Sequence, residues 1–255
     1  MTAPTSPDPP TAATTQDALL GGQLKLRQPA DGYRVAVDPI LLAAAVPANP
    51  DQTILDAGSG VGAAALCLAH RVPGCQATGI EIQTALAALA HENAAQNGLS
   101  EAVRFVEGDI AAPPASLKPP EFDHVMTNPP YLRAAESRIP SSSAKAIATV
   151  EQDIDLAAWL NICARMTKPQ GTVTVIHRAD RLDDVVRALG TSCGALIVYP
   201  LWPRAGADAK RMIVRGTIGR ETPLRLSPGL ILHQDNGDYT PQTQSILRNA
   251  APLIL

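Results

Sequence analysis

The chain has 255 residues, is 45% hydrophobic and only 3% aromatic, and carries a formal charge of −3 with a pI near 5.9. That is enough for one full α/β domain with a core of Ala, Val, Leu and Ile. The slightly acidic balance excludes a protein that coats nucleic acid through its overall charge, though a local basic patch is compatible with it.

Residues 1–16, rich in Pro, Thr and Ala, read as a disordered tail. They have neither the basic region nor the apolar segment of a signal or transit peptide. No apolar run approaches the roughly 20 residues of a membrane-spanning helix. Cys67, Cys75, Cys163 and Cys193 form no C-x-x-C pair and lack a histidine at ligand spacing. They read as free thiols, with no metal, in a reducing cytoplasmic compartment.

Gly21-Gly22 and Asp31-Gly32 are turn signals around a short β-like "QLKLRQ". "DPILLAAAV" predicts a helix with Asp38 as N-cap and Pro39 at its first position. From residue 52 a regular alternation begins. The apolar strands "QTILDAGSG", "CQATGIEI", "AVRFVEGDI", "FDHVMTN" and "GTVTVIH" are separated mostly by helical stretches, among them the Ala-rich one closed by Asn97-Gly98. Strands joined by helices imply right-handed crossovers and a mostly parallel sheet, α/β in class, with helices on both faces. "ALIVYPLW" and "KRMIVRGTIG" have no helix between them, which predicts an antiparallel pair. The expected organisation is one domain over residues 17–255. It comprises an extension at 17–50, a catalytic core at 51–222 and a C-terminal segment at 223–255 that its pattern does not place.

"LDAGSGVGA" joins the first core strand to a helix, the place where a ligand meets glycine backbone and a helix N-terminus. Gly58, Gly60 and Ala63 match the dinucleotide pattern, but Asp56 would repel a pyrophosphate. The same carboxylate suits a ligand with an ammonium group and no phosphates. S-adenosylmethionine is such a ligand. Gly58, Gly60 and Gly62 would form its loop, Glu81 would accept the ribose hydroxyls, Asp109 the adenine amino group, and Ile110 would lie beside the ring. Each acid alone reads equally well as a helix cap or a solvated loop residue.

The next strand runs into Asn128-Pro129-Pro130-Tyr131. Proline fixes φ, so two in a row aim the neighbouring carbonyls in set directions. The Asn128 amide oxygen and a backbone carbonyl can accept both hydrogens of a planar amino group while Tyr131 stacks on the ring carrying it. Such a clamp draws the nitrogen towards a pyramidal form and frees its lone pair for a methyl sulfonium, so catalysis is positioning plus electrostatics. The plainer reading is a tight turn with Tyr131 as a packing residue. Arg204, Lys210 and Arg211 are candidate phosphate contacts at the ligand end of the sheet, against the alternative of a solvated strand face. Residues 132–147 read as a substrate lid or a simple loop, and Trp159 as core.

"DAGSGVG", Glu81, "GDI" and "NPPY" in this order resemble the class I methyltransferases that act on exocyclic or amide nitrogen. That resemblance implies a Rossmann-like sheet of seven strands with the last antiparallel. "RVAVDPILLAA", "WPRAGADAKRMIVRG" and "LILHQDNGDYT" resemble segments of the bacterial tRNA adenine-N6 methyltransferase family. The resemblance covers most of residues 17–240 and implies a tRNA partner. A protein glutamine shares the clamp chemistry, but those enzymes usually carry an N-terminal helical domain, for which residues 17–50 are too few. Guanine N2, DNA adenine, a non-catalytic RNA-binding protein and an NAD-dependent oxidoreductase are the other readings; Asp56 and NPPY disfavour the last.

Overall fold

The computed structural model describes residues 13–31, 34–129, 132–133, 150–151 and 155–255. The N-terminal part is an antiparallel hairpin of β1 (Thr14–Leu19) and β2 (Leu24–Pro29), followed by helix α1 (Asp38–Ala45). The alternating core then runs β3 (Thr53–Ala57), α2 (Ala63–Arg71), β4 (Gln76–Glu81), α3 (Thr84–Gln96), β5 (Val103–Glu107) and β6 (Phe122–Thr127). Two short strands, β7 (Leu132–Arg133) and β8 (Val150–Glu151), pair in parallel. After them come α4 (Leu156–Met166), β9 (Thr167–Arg178), α5 (Leu182–Leu189), β10 (Cys193–Trp202) and β11 (Arg211–Ile218). The chain finishes with β12 (Arg225–Leu226), β13 (Leu230–Ile231) and α6 (Pro241–Asn249).

The main sheet has the order β12-β10-β11-β9-β6-β3-β4-β5, with β13 also on β10. Strand β11 is antiparallel to both neighbours and lies between β9 and β10. The seven long strands are those anticipated, and β12 and β13 add two short pieces to the β10 edge.

Side chains alternate across the sheet with the period of two that strands impose. Ile54, Met126, Ile176, Ile213 and Leu201 join one core with α1, α2, α3 and α6. Leu55, Val125, Val175, Val214 and Val198 join the other with α4 and α5. Both faces are therefore covered by helices, as a parallel sheet requires.

Three boundaries differ from the sequence reading. Strand β1 starts at Thr14, inside the expected tail, because Thr14 to Leu19 pair with Pro29 to Leu24. Asp38 does not cap α1; Val37 occupies that position, and the Asp38 carboxylate instead accepts from Arg211 Nε at 2.9 Å. Strand β9 begins four residues before "GTVTVIH", directly after α4, and accommodates the extra length with a register shift opposite β6. The C-terminal segment also finds its place: Thr240 caps α6, Ile246 and Leu247 are buried in the α1–α3 side core, and Leu253 N donates to Ala44 O at 2.8 Å.

The hairpin is held by side chains rather than by the sheet. Asn93 on α3 and Asn97 at its C-cap, one turn apart, bond the backbone of Arg27 and Lys25 on β2 at 2.7–2.9 Å. These amides take the place of a third strand. Asn93 Nδ2 also donates to Val61 O, which links the hairpin to the glycine loop.

Candidate active site

Strands β3, β4, β5, β6 and β9 are mutually parallel, and β10 matches them through two antiparallel steps across β11. Their C-terminal ends therefore share one end of the sheet, where the order reverses between β3 and β6. Open α/β sheets bind ligands at such a point.

The glycine loop leaves β3 there. Gly58, Gly60 and Gly62 have φ of +74°, +54° and +86°, the left-handed region that disfavours side chains. Gly58 N and Ser59 N both donate to Ile80 O at 3.0 Å, and Gly60 N donates to Glu81 Oε2 at 2.8 Å. A Cβ at Gly62 would come within 2.4 Å of Phe105, whereas one at Gly60 would meet open space. The loop is thus packed underneath and open above.

Asp56 is 3% exposed and accepts from Ala65 N at 3.2 Å. Burial pushes its carboxyl up to about 7; the Ala65 N–H opposes the rise and the neighbouring Glu81 carboxylate adds to it. Glu81, on β4, is 7% exposed and is also raised by burial, against the N–H groups of Gln83 and Gly60. Asp109 lies half-buried beyond β5 and accepts from Ala111 N at 2.8 Å. Asp56 is opposite Gly79 and Glu81 opposite Glu107, so the three acids step outward along the sheet end. Ile110 is 4% exposed and packs in the α4–α5 side core.

This donor set fits S-adenosylmethionine. Two buried carboxylates beside each other are costly without a counter-charge, and an ammonium and sulfonium ligand brings positive charge. Each carboxylate oxygen already bonded to an N–H keeps further acceptor capacity for hydroxyl or amino hydrogens.

Asn128 follows the last residue of β6 and is half-buried; Pro129 is buried. Thr127 stands opposite Ala57, so the asparagine leaves the sheet beside the origin of the glycine loop. Pro130, Tyr131 and residues 134–147 of the candidate lid lie outside the described residues.

Trp159 is half-buried at the margin of the α4–α5 side core and also reaches the site. Its Nε1 donates to Thr127 Oγ1 at 3.0 Å, and Thr127 Oγ1 donates to Ala57 O at 2.8 Å. A Cβ at Gly58 would stand 3.0 Å from its ring. The helical pattern around Trp159 carried no sign of this, because α4 meets Gly58 and Thr127 only through the tertiary fold.

The basic residues divide. Arg204 and Lys210 are exposed in the turn between β10 and β11, at the ligand end. Arg211 is half-buried on Asp38, and Arg215 Nη1 donates to Ala45 O at 3.1 Å, so both also tie α1 to β11. Arg220 lies beyond the far end of β11. His124 is internal: its ring nitrogens meet Thr172 Oγ1 and Gln52 Oε1, and burial lowers it to about 4. All four cysteines are buried free thiols. Among the described residues no His, Cys, Asp and Glu side chains gather into a metal-holding group, and no helix is long and apolar enough to cross a membrane.

Comparison with known proteins agrees with this geometry. A family model described as a methyltransferase domain matches residues 48–210. A tRNA1(Val) (adenine(37)-N6)-methyltransferase of Aeromonas hydrophila is 30% identical over 210 residues, covering 81% of this chain and 85% of that protein. A release factor glutamine methyltransferase of Chlorobaculum tepidum is 37% identical, but over 97 residues, or 38% of this chain and 33% of that one. A crystal structure of a predicted O-methyltransferase from Agrobacterium tumefaciens superposes with a TM-score of 0.72 at 24% identity. It covers 86% of this chain and 99% of that chain, and it shows the shared fold.

Proposed function

Because the chain belongs to the methyltransferase domain family, and within it to the family of the tRNA1(Val) (adenine(37)-N6)-methyltransferases, we propose that it methylates N6 of an adenine in transfer RNA. It is an S-adenosylmethionine-dependent enzyme. The cofactor supplies the methyl group, already activated on a sulfonium. The rest is the work of this chain's residues. Asp56 faces the cationic amino-acid end, Glu81 accepts from the ribose hydroxyls, and Asp109 with the Ile110 backbone holds the adenine. Gly58, Gly60 and Gly62 let the cofactor approach the loop backbone.

Asn128 and the adjoining backbone carbonyl accept the two hydrogens of the target amino group. That grip would localise the nitrogen lone pair for the N–C bond that forms as the methyl group's bond to the sulfonium breaks; the leaving group is neutral S-adenosylhomocysteine, and the surplus proton on nitrogen goes to solvent. Pro129 and Pro130 stiffen the turn, and Tyr131 stacks on the base. Arg204 and Lys210 meet RNA phosphates, with Arg211 behind them. The enzyme would act in the cytoplasm, where transfer RNA is modified.

The observation that carries this reading is the pairing of Thr127 with Ala57, which brings the amide-bearing turn and the cofactor loop to one point of the sheet. A protein glutamine presents the same NH2 group, and the shorter match to a glutamine methyltransferase favours it as the second reading.

The test is incubation of small RNA, DNA and release-factor protein, each taken from cells lacking this protein, with tritiated S-adenosylmethionine. Label in RNA that digests to N6-methyladenosine is the expected result. Label confined to protein would replace adenine with glutamine, and label in none of the three would overturn the assignment.

A further inference from the structure

Two segments that the chemistry must hold in register, the cofactor loop and the amide turn, belong to different strands. One side chain touches both. The Trp159 indole packs on Gly58, where a Cβ would lie 3.0 Å from Cζ2 and 3.2 Å from Cη2. Its Nε1 donates at 3.0 Å to Thr127 Oγ1, next to Asn128. Thr127 Oγ1 itself donates at 2.8 Å to the backbone oxygen of Ala57, the residue before Gly58. The hydroxyl is buried, accepts once and donates once, so its rotor is set. Loop, turn and α4 are joined by a closed circuit of one packing contact and two hydrogen bonds.

We propose that Trp159 and Thr127 form a positioning bracket that sets the distance between the cofactor's methyl group and the Asn128 clamp. The inference rests on the methyltransferase reading above. Neither residue touches the reacting atoms; they act by holding Gly58 and Asn128. Methyl transfer needs near-attack geometry, and a misplacement of about 1 Å can cost on the order of a hundredfold in rate. Ground-state cofactor affinity depends instead on Asp56, Glu81 and Asp109, so the bracket should show in kcat.

The test uses Trp159→Phe, which keeps an aromatic side chain on α4 but loses the N–H and the outer indole ring that meets Gly58, with Thr127→Val and Thr127→Ser. Single-turnover methyl transfer should fall about tenfold to a hundredfold in Trp159→Phe and in Thr127→Val. S-adenosylhomocysteine affinity should stay within about twofold, since the carboxylates are intact. The double variant should be no slower than the worse single one, because both remove the same hydrogen bond, and Thr127→Ser should recover the rate. Wild-type rates in both single variants would overturn the bracket, as would equal losses of rate and cofactor affinity.

A second readout does not need turnover. The chain has two tryptophans, so Trp202→Phe leaves Trp159 alone. S-adenosylhomocysteine should then shift its emission, and Thr127→Val should change that shift. Absence of any shift would overturn the contact between ring and loop. A clear shift in a protein that methylates no RNA, DNA or protein would leave the contact between ring and loop standing, but would overturn the proposed substrate and with it the bracket's role in methyl transfer.

Discussion

Asp56 is an acid kept half-protonated near neutrality by its own burial. Its carboxyl is raised from 3.8 to about 7. In folding, the unfolded chain ionises this group near pH 4 while the native state still holds the proton. Its contribution to stability is therefore present below pH 4 and is lost as pH rises towards 7. A cationic ligand reverses the preference, because it favours the carboxylate. We expect S-adenosylmethionine affinity to rise between pH 5 and 7, by up to about tenfold per unit, with uptake accompanied by proton release. Calorimetry in buffers of different ionisation enthalpy measures that proton, and Asp56→Asn should bind weakly with a flat profile. A wild-type profile flat from pH 5 to 7 would mean that Asp56 does not meet the cofactor's charge. In the proposed mechanism Asn128 acts on the other partner. Asn128→Ala should leave cofactor affinity nearly unchanged and lower kcat by about a hundredfold to a thousandfold, the range seen when one preorganised transition-state partner is removed. Asn128→Asp keeps an acceptor but adds charge, so only partial activity is expected. Wild-type turnover in Asn128→Ala would reduce the turn to a structural feature.

The glycine loop shows how one element mixes two demands. Gly60 and Gly62 both have positive φ, so alanine at either is strained by about 1–2 kcal/mol. Gly62 also lies over Phe105, where a Cβ would be 2.4 Å from Cζ. Overpacking adds about 1–3 kcal/mol there. Denaturant titration should accordingly find Gly62→Ala distinctly less stable than Gly60→Ala; equal stabilities would show that the strand beneath gives way easily. The turn between β10 and β11 divides in a similar manner. Arg204→Ala with Lys210→Ala should flatten the salt dependence of RNA binding and leave the melting temperature alone. Arg211→Ala should also lower the melting temperature, because its Nε bonds the buried carboxylate of Asp38. A salt slope unchanged in Arg204→Ala/Lys210→Ala would return that turn to a solvated surface.

Across the domain, the N-terminal hairpin and the C-terminal segment meet on one face of the sheet. Gln23 Nε2 donates to Arg248 O, and Ile246, Leu247 and Leu253 enter the core that α1, α2 and α3 share. Ile246 is 1% exposed, and truncating such a side chain costs about 2–5 kcal/mol. Ile246→Ala should therefore unfold at lower temperature while binding S-adenosylmethionine normally when folded, since α6 lies away from Asp56 and Glu81 in the chain of contacts described. Loss of cofactor affinity at a temperature where the variant is folded would show that this face reaches the site. The net charge of −3 fits the proposed reading, in which RNA would be met by a local basic turn rather than by the overall field.

Periodicity and punctuation in the chain were sufficient for the strands, the helices between them and the antiparallel β10–β11 pair. Apolar alternation, Asn97-Gly98 and the absence of a helix before β11 are local signals with local causes. That the three acids and the glycine loop gather at one end of the sheet was readable for a related reason. Each lies at or just past the end of a strand, and parallel strands bring their ends together whatever lies between. The local signals did not reach partners distant in sequence. Asp38 looks like a cap until Arg211, 173 residues away in sequence, takes its carboxylate. Residues 223–255 have little pattern of their own because the β10 edge and α1 supply their bonds. Trp159 has the spacing of a core residue on α4. Only the packing of α4 across β6 and β9 puts its ring on Gly58 and its N–H on Thr127, since both contacts depend on how layers stack rather than on what any one segment prefers.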